Sequence, residues 1–221
     1  MKPKLLDLFS AAGGAARGYA DAGFEVIGVD LTLFKRYPYV QLAADALSLT
    51  PSFLAMFDAV HASPPCQGYT ALRHAPKTRG APKLIGRVRE LLMASGKPWI
   101  IENVEEARWD MRDPLCLCGS MFGLGAQGHH LERHRLFESS LKLTAPCACA
   151  HKSPVIGVYG GHARNRAASS GGRGTRDVWI GGHKAAMSEA MGIDWMTTAE
   201  LSEAIPPAYT AHLGRQLIEA A

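Results

Sequence analysis

Short apolar runs and glycine-rich turns alternate along the first part of the chain. Residues 4–9 are an apolar run that Gly13 and Gly14 interrupt, and "AARGYADAG" then predicts a short helix that ends at Gly23. "FEVIGVD" predicts a second buried strand that ends in an acidic residue. A strand, a crossover helix and a second strand make a βαβ unit, so the pattern indicates a parallel sheet.

The same alternation continues towards the middle of the chain and returns at its C-terminal end. "FDAVHASPP" predicts a strand that enters a proline-rich loop, "KLIGRVRELLMASG" a helix with one apolar face, and "KPWIIENVEEA" a further strand. Residues 183–221 have helical periodicity that Pro206 and Pro207 interrupt. We therefore predict an α/β fold with a doubly wound, mainly parallel sheet.

The composition changes in the second half. Residues 105–150 mix short apolar pieces with Arg, His, Cys and Gly, and residues 160–176 are rich in glycine and arginine. The second of these stretches is typical of a mobile basic loop. We assign a small irregular lobe to 139–182 and the main domain to 1–138 and 183–221.

The overall composition narrows the class of protein. The 221 residues are 47% apolar and 20% charged, as in ordinary soluble globular proteins, and no apolar run reaches the roughly 18–20 residues of a membrane span. The net charge of +4 permits a polyanionic partner without requiring one. Five cysteines and no secretory signal favour free thiols in a reducing compartment, so we expect a cytoplasmic protein that does not act at a membrane.

Polar residues follow the first two strands, where doubly wound sheets bind ligands. The first strand leads into the "FSAAGG" turn, the second ends at Asp30, and Asp45 follows in "AADAL". Asp30 could accept hydrogen bonds from ribose hydroxyls and Asp45 from an adenine amine. On these residues alone, an adenosine-bearing cofactor and a purely structural turn are equally open interpretations.

Two further strand ends carry a thiol and a carboxyl group, Cys66 in "SPPCQGYT" and Glu102 in "IENVEEAR". A thiolate is a strong nucleophile, and a carboxylic acid with a raised pKa can protonate a ring nitrogen. The pair suits addition to an electron-poor heterocycle, after which a neighbouring ring carbon attacks an electrophilic methyl group. The alternative is a buried thiol and a surface carboxylate, but the prolines before Cys66 fix an exposed loop and argue against it.

Five blocks of the sequence, taken in order, resemble the signature blocks of the DNA (cytosine-5) methyltransferases, and above all their short, phage-type members. The blocks are "DLFSAAGGAARGYADAGF", "SPPCQGYT", "IENVEEAR", "ERHRLFE" and "AIPPAYTAHLG", and the match extends from residue 5 to about residue 215. The resemblance implies a Rossmann-like class I methyltransferase fold, S-adenosylmethionine as cofactor and double-stranded DNA as partner. It also implies that the target base is flipped out of the duplex, and we expect a monomer in a bacterial host cell.

The resemblance assigns roles to individual residues. Cys66 would be the nucleophile that adds to cytosine C6, and Glu102 the acid at N3, with Asn103 bracing its loop. Arg133 and Arg135 would lie beside the flipped base and the thiolate. The implied cofactor site comprises Phe9, Ser10, Gly13, Gly14, Asp30, Leu31, Asp45, Ala46 and Pro65. The expected contacts to DNA are Gln67 and, in the basic loop, Arg164, Arg166, Arg173 and Arg176.

Two departures from the family pattern carry expectations. The first glycine of the family's cofactor turn is Ala11 here, a modest change if the backbone there has a negative φ. The family's target-recognition domain is normally much larger than residues 139–182, so we expect a short target sequence.

The remaining cysteines and histidines raise the question of a metal. The pairs in "CLCG" and "CACAH" offer four thiolates, or three with His151, which would suit zinc. Structural zinc sites usually separate paired ligands by two to four residues, so free thiols are the favoured interpretation. We assign no metal to these pairs or to His129, His130 and His134.

The expected function is therefore methylation of cytosine at C5 through a covalent Cys66–C6 adduct. Three alternatives stay open on the sequence: the same chemistry on RNA or a nucleotide, a modified methyl donor, and a non-catalytic DNA-binding protein with this fold.

Overall fold

The computed structural model describes residues 1–70, 79–151, 154–159, 162–166 and 183–220. The first elements alternate: β1 (Lys4–Leu8), α1 (Gly14–Ala22), β2 (Glu25–Asp30), β3 (Val40–Ala43), α2 (Pro51–Leu54), β4 (Ala59–Ala62), α3 (Ile85–Ser95) and β5 (Trp99–Asn103). The later elements are β6 (Leu115–Leu117), β7 (Gly125–Ala126), β8 (His129–Leu131), β9 (Arg135–Ser139), β10 (Val155–Tyr159), β11 (His162–Arg166), α4 (His183–Met191), α5 (Thr198–Glu203) and α6 (Pro207–Glu219). Short 3₁₀ helices cover Ala46–Ser48, Glu105–Asp110 and Gly119–Phe122.

The larger of the two sheets has seven strands in the order β3-β2-β1-β4-β5-β9-β6. The strands from β3 to β5 are parallel, whereas β9 is antiparallel to both of its neighbours. The chain winds outward from β1 in both directions, so the switch point lies between β1 and β4. The predicted α/β fold with a doubly wound, mainly parallel sheet is confirmed.

Glycines define both ends of α1. Gly13 precedes the helix with a φ of 83° and Gly23 follows it with a φ of 118°. Both values lie in the left-handed region that glycine adopts readily. The N–H of Gly23 donates to the carbonyl of Ala20, which ends the helix and turns the chain into β2.

Apolar side chains cover both faces of the larger sheet. Leu6, Leu8 and Ile101 belong to the core that packs against α3, while Leu5 and Ile100 belong to the core that packs against α1 and α6. Successive residues of a strand point to opposite faces. Burial on both faces explains why β1 and β5 read as continuous apolar runs.

The smaller sheet has the order β11-β10-β8-β7 and packs against α4 through an apolar core that includes Ile156 and Met187. It takes strands from both sides of residue 139. The predicted loop at 160–176 is wrong for residues 162–166, which form β11 and pair antiparallel with β10. Residues 167–176 of that predicted loop lie outside the described residues. In the described part of the chain, no helix is long and apolar enough to cross a membrane.

Candidate active site

Cys66 and Glu102 lie at the carboxyl ends of adjacent parallel strands. Ala62 at the end of β4 pairs with Ile101 of β5, and Glu102 is the next residue of β5. The N–H of Ser63 donates to the carbonyl of Leu8, which extends the pairing of β4 with β1 up to the prolines. Because both strands end at the same edge of the sheet, the loop of Cys66 is placed beside the carboxyl group of Glu102.

Asn103 joins the two loops. Its Nδ2 donates to the carbonyl of Pro64 at 2.9 Å, and its Oδ1 accepts the N–H of Val104 at 3.0 Å. The side chain is buried. The amide thus connects the loop that carries Cys66 to the end of β5, in keeping with the bracing role that the resemblance assigns to it.

Glu102 is a buried carboxyl group paired with Arg135. The Nε of Arg135 lies 3.1 Å from Oε1 of Glu102. Burial raises the pKa of Glu102, while the charge of Arg135, a hydrogen bond from Ser63 and the charge of Arg133 oppose the rise. The net direction is upward, so burial favours the protonated acid that proton donation to a ring nitrogen requires.

The thiol of Cys66 is half-buried, and its loop turns back immediately after it. The N–H groups of Tyr69 and Thr70 both donate to the carbonyl of Cys66, which fixes the turn. Burial raises the pKa of the Cys66 thiol, and the positive charge of Arg135 is the largest effect in the opposite direction. Arg135 therefore favours the ionised form of both candidate catalytic groups.

Arg133 is fully buried, and its guanidinium donates to backbone carbonyls. The acceptors are Val158 at 2.8 Å, Ser202 at 2.9 Å and Ala204 at 2.7 Å. Burial lowers the pKa of Arg133 to about 9. Tyr209 of α6 donates to the carbonyl of Arg133 at 2.6 Å. These contacts place Arg133 where the smaller sheet, α5 and α6 meet.

Buried polar groups lead from α1 to Glu102. The hydroxyl of Tyr19 is 2.9 Å from Nδ1 of His61, and Nε2 of His61 is 2.8 Å from the hydroxyl of Ser63. Ser63 in turn hydrogen-bonds to Glu102. Burial lowers the pKa of His61 to about 3, so the imidazole is neutral at physiological pH.

The turn after β1 has an unusual backbone at two residues other than glycine. Phe9 has a φ of 58° and Ala11 a φ of 43°. The condition under which Ala11 would be a modest change, a negative φ, is therefore not met, and its backbone lies in a region that glycine prefers. Two side chains stabilise the turn. The carboxylate of Asp30 accepts the N–H of Ala11 at 2.9 Å, and the amide of Gln41 donates to the hydroxyl of Ser10 and to the carbonyl of Ala11.

The other residues expected at the cofactor site occupy different environments. Leu31 directly follows Asp30 and is 72% exposed. A Cβ on Gly13 would lie 2.7 Å from the side chain of Pro38, and a Cβ on Gly14 would lie 2.5 Å from the carbonyl of Ile205. Close packing therefore requires glycine at both positions.

Asp45 accepts the N–H of Leu47 and begins the first 3₁₀ helix. Ala46, the first residue of that helix, is buried, and Pro65, in the loop after β4, is exposed.

Comparison with known proteins gives one sequence relative and several structures of the same fold. No protein-family model matches the chain. The type II methyltransferase M.HgiGI of Herpetosiphon aurantiacus is 29% identical over 119 residues, covering 48% of this chain and 93% of the relative. A prophage-encoded protein of E. coli assigned as a DNA modification methyltransferase has a TM-score of 0.61 at 14% identity, covering 98% of this chain and 99% of that chain. The Dnmt2 methyltransferase of S. pombe has a TM-score of 0.61 at 12% identity, covering 100% and 99%.

The resemblance to the DNA methyltransferases is confirmed. The solved structures establish the class I methyltransferase fold over nearly the whole chain.

Only one of the side chains expected to contact DNA lies in a described region of this methyltransferase fold. Gln67 is exposed, one residue beyond Cys66. Arg164 and Arg166 belong to β11, of which the backbone is described. Arg173 and Arg176 lie outside the described residues.

Sequence analysis did not single out Asp7 or His61, which pair in register on β1 and β4. Burial raises the pKa of Asp7 to about 8, the charge of Asp30 adds to the rise and Tyr37 opposes it. Each of the two residues is a single polar side chain inside an apolar run that leads to a motif. That position is a signal that could have identified them as buried neighbours of the candidate site.

Proposed function

We propose that the protein is a DNA (cytosine-5) methyltransferase that acts through a covalent bond between Cys66 and C6 of the target cytosine. The observation that carries this proposal is the arrangement of Cys66 and Glu102 on adjacent strand ends, joined by Asn103 and both influenced by Arg135. A nucleophile and a buried acid side by side are the two groups that activation of a pyrimidine ring requires.

The end of the sheet from β1 to β3 suits S-adenosylmethionine. Asp30 offers carboxylate oxygens to a ribose diol while one of them holds the turn, and exposed Leu31 offers apolar surface to an adenine ring. The backbone of Phe9 to Gly13 would line the rest of the site, and Asp45 would face the adenine amine. When bound there, S-adenosylmethionine supplies an electrophilic methyl group.

The chain's own residues activate the base. The Cys66 thiolate forms the bond to C6, and Glu102 delivers its proton to N3 so that no negative charge accumulates on the ring. The electron pair of the C5–C6 double bond thereby becomes available at C5. After methylation, a base such as a water molecule takes the C5 proton, the C5–C6 double bond re-forms as the C6–S bond breaks to release the Cys66 thiolate, and the N3 proton returns to Glu102. Since C6 is not accessible in stacked DNA, the cytosine must be extruded from the duplex.

The remaining predicted residues have supporting roles in the proposal. Arg135 orients Glu102 and stabilises the thiolate, whereas Arg133 acts as a positioning residue through its backbone contacts. Gln67 and the arginines at 164, 166, 173 and 176 are proposed to contact DNA, and residues 139–182 to contribute to target recognition. An exposed amide next to the nucleophile and a concentration of arginine support these assignments.

The test uses duplex DNA of varied sequence in which cytosine is replaced by 5-fluorocytosine, incubated with the protein and S-adenosylmethionine. Fluorine at C5 cannot leave as a proton does, so the adduct should persist on a denaturing gel. Cys66→Ala should abolish the shifted band, whereas Cys147→Ala, which removes an exposed thiol elsewhere, should retain it. If the protein binds S-adenosylmethionine but gives no adduct on DNA, the DNA substrate is contradicted, and fluorinated RNA becomes the substrate to examine.

A further inference from the structure

Four potential metal ligands from distant parts of the sequence meet at the junction of the two sheets. They are Cys118, His134, Cys149 and His151, here called the Cys₂His₂ cluster. Cys118 follows β6, His134 precedes β9, and the other two lie in the segment between β9 and β10. The two Cys-x-Cys pairs of the sequence are therefore split, since each contributes one thiol and leaves one out.

The distances within the Cys₂His₂ cluster fit a tetrahedral zinc ion. The ligand atoms all lie within 4.8 Å of one another. Nε2 of His151 is 3.3 Å from Sγ of Cys118 and 3.0 Å from Sγ of Cys149, and Nε2 of His134 is 3.5 Å from Sγ of Cys149. Zinc–sulfur bonds of ≈ 2.3 Å and zinc–nitrogen bonds of ≈ 2.0–2.1 Å in a tetrahedron separate the ligand atoms by roughly 3.3–3.8 Å.

A second layer of polar groups orients the ligands. Nδ1 of His134 is 3.3 Å from a carboxylate oxygen of Glu105, so its Nε2 faces the Cys₂His₂ cluster. A carboxylate behind a histidine is the usual support of a zinc-bound imidazole. The hydroxyl of Ser120 lies 3.4 Å from Sγ of Cys149 and can donate to a thiolate.

We propose that the Cys₂His₂ cluster binds one structural zinc ion. Two thiolates and two imidazoles complete a four-coordinate site and leave no position for a substrate, which is typical of structural zinc. Residues 140–151 contain neither helix nor strand, and the ion would attach this segment to the end of β6 and to the start of β9. His134 directly precedes Arg135, so the same ion would also fix the chain that presents Arg135 to Glu102.

A second group of possible ligands overlaps this one. Glu105, Cys116 and His134 also lie within 4.8 Å of one another. This group has three donors, of which one is a thiol. Glu105 would be a ligand in this group, whereas it supports His134 in the Cys₂His₂ cluster. Zinc prefers four donors in structural sites, so the observations favour the Cys₂His₂ cluster, and the variants below distinguish the two.

The test measures zinc in the 221-residue chain purified with a reducing agent, by elemental analysis after gel filtration. We expect one equivalent of zinc per chain. Cys149→Ser and His151→Ala should each reduce the zinc content at least tenfold. Cys147→Ser is the matched control, since it removes an exposed thiol two residues away and should retain full zinc.

Two results would overturn the proposal. One is the absence of bound metal after the reduced protein is incubated with zinc. The other is full zinc retention in Cys149→Ser, and loss of zinc in Cys116→Ser in that case would assign the metal to the overlapping group. Because Cys149 and His151 are exposed, their variants should fold, and circular dichroism checks this.

Cobalt provides a readout of the ligand set itself. The protein loaded with Co²⁺ should show thiolate-to-metal charge transfer and the intense visible bands of a tetrahedral site, and Cys147→Ser should leave the spectrum unchanged. A pale, octahedral spectrum without charge transfer would contradict thiolate ligation.

Discussion

Arg135 influences both side chains that the proposed chemistry needs. It forms an ion pair with Glu102, and its charge opposes the rise that burial causes in the pKa of the Cys66 thiol. A buried thiol without a nearby cation would be protonated at neutral pH and weakly nucleophilic. The guanidinium is thus the described feature that most favours the thiolate.

Replacement of Arg135 by Gln should therefore raise the pKa of the Cys66 thiol. The positive charge stabilises the thiolate, so its removal moves the midpoint of thiol ionisation to higher pH. At a fixed pH below this midpoint, alkylation of Cys66 should be about 3- to 10-fold slower, since one pKa unit is a tenfold change in thiolate. The measurement is the pH dependence of iodoacetamide labelling of the Cys66 peptide, followed by mass spectrometry.

Arg17→Gln is the control, because Arg17 is an exposed arginine paired with Asp21 and not with the site. It should leave the midpoint unchanged, and Arg135→Lys should restore most of the wild-type behaviour. An Arg135→Gln midpoint equal to that of the wild type would show that Arg135 does not activate the thiol.

The sequence predicted some residues of the site and not others for a physical reason. Glu102 lies at the end of one apolar strand and Cys66 in the loop after another, so a parallel sheet brings them to one edge when the two strands pair. The role of His61 depends on its contact with Tyr19, 42 residues away, and the role of Arg133 depends on carbonyls about 70 residues away. Such contacts depend on tertiary packing, which spacing along the chain does not encode.

Among the elements, α1 and α6 pack closely against each other. A Cβ on Gly18 of α1 would lie 2.0 Å from the carbonyl oxygen of Pro207, 2.1 Å from Oγ1 of Thr210 and 2.7 Å from the backbone nitrogen of Ala211. Thr210 also donates to the carbonyl of Ala15 at 2.8 Å. The block "AIPPAYTAHLG" thus packs its backbone onto the helix that follows the cofactor turn.

Gly18→Ala should destabilise the fold by about 2 kcal/mol or more, because overpacking usually costs about 1–3 kcal/mol and backbone atoms cannot move aside as a side chain can. Gly86→Ala is the matched control, a glycine-to-alanine change in α3 where an added Cβ meets nothing within 4 Å. It should stabilise the protein by about 0.5–1 kcal/mol. Urea unfolding of the three proteins measures both effects. Equal stability of the two variants would contradict the close contact of α1 and α6.

The elements of the βαβ core were predictable because local signals agree with the tertiary fold. Glycines bound α1, and burial on both faces produces the apolar runs of β1 and β5. β11 was missed because "HARNR" lacks an apolar pattern and becomes a strand only by pairing with β10. Zinc was considered for the Cys-x-Cys pairs, but the combination of Cys118, His134, Cys149 and His151 was not predicted, since these residues come together only in the tertiary fold.

At the scale of the whole molecule, Arg133 connects parts of the structure that are far apart in sequence. It lies between β8 of the smaller sheet and β9 of the larger sheet, donates to β10 through Val158, and donates to the end of α5 through Ser202 and Ala204. The hydroxyl of Tyr209 on α6 donates to its carbonyl. A single buried guanidinium thus satisfies carbonyls from two separate regions of the chain.

Arg133→Lys should loosen this junction while leaving the β1–β5 core folded. A lysine ammonium is a compact group that cannot reproduce the planar arrangement of donors, so buried carbonyls lose partners at a cost of about 1–3 kcal/mol each. Hydrogen exchange followed by mass spectrometry should show faster exchange in 155–159 and 198–203 and unchanged exchange in β1 and β4. Arg87→Lys, on the exposed face of α3, should change neither.

The pattern of exchange distinguishes a local junction from a general loss of stability. If Arg133 only contributed to overall stability, Arg133→Lys would accelerate exchange in the slowest amides of every element by the same factor, because those amides exchange through global unfolding. Faster exchange confined to β10 and α5 would instead show that the two sheets separate while the core persists. Arg135 follows Arg133 by two residues, so such separation should also weaken its pairing with Glu102 and slow alkylation of Cys66 in the same variant. Normal Cys66 reactivity together with a loosened smaller sheet would show that the site does not depend on this junction.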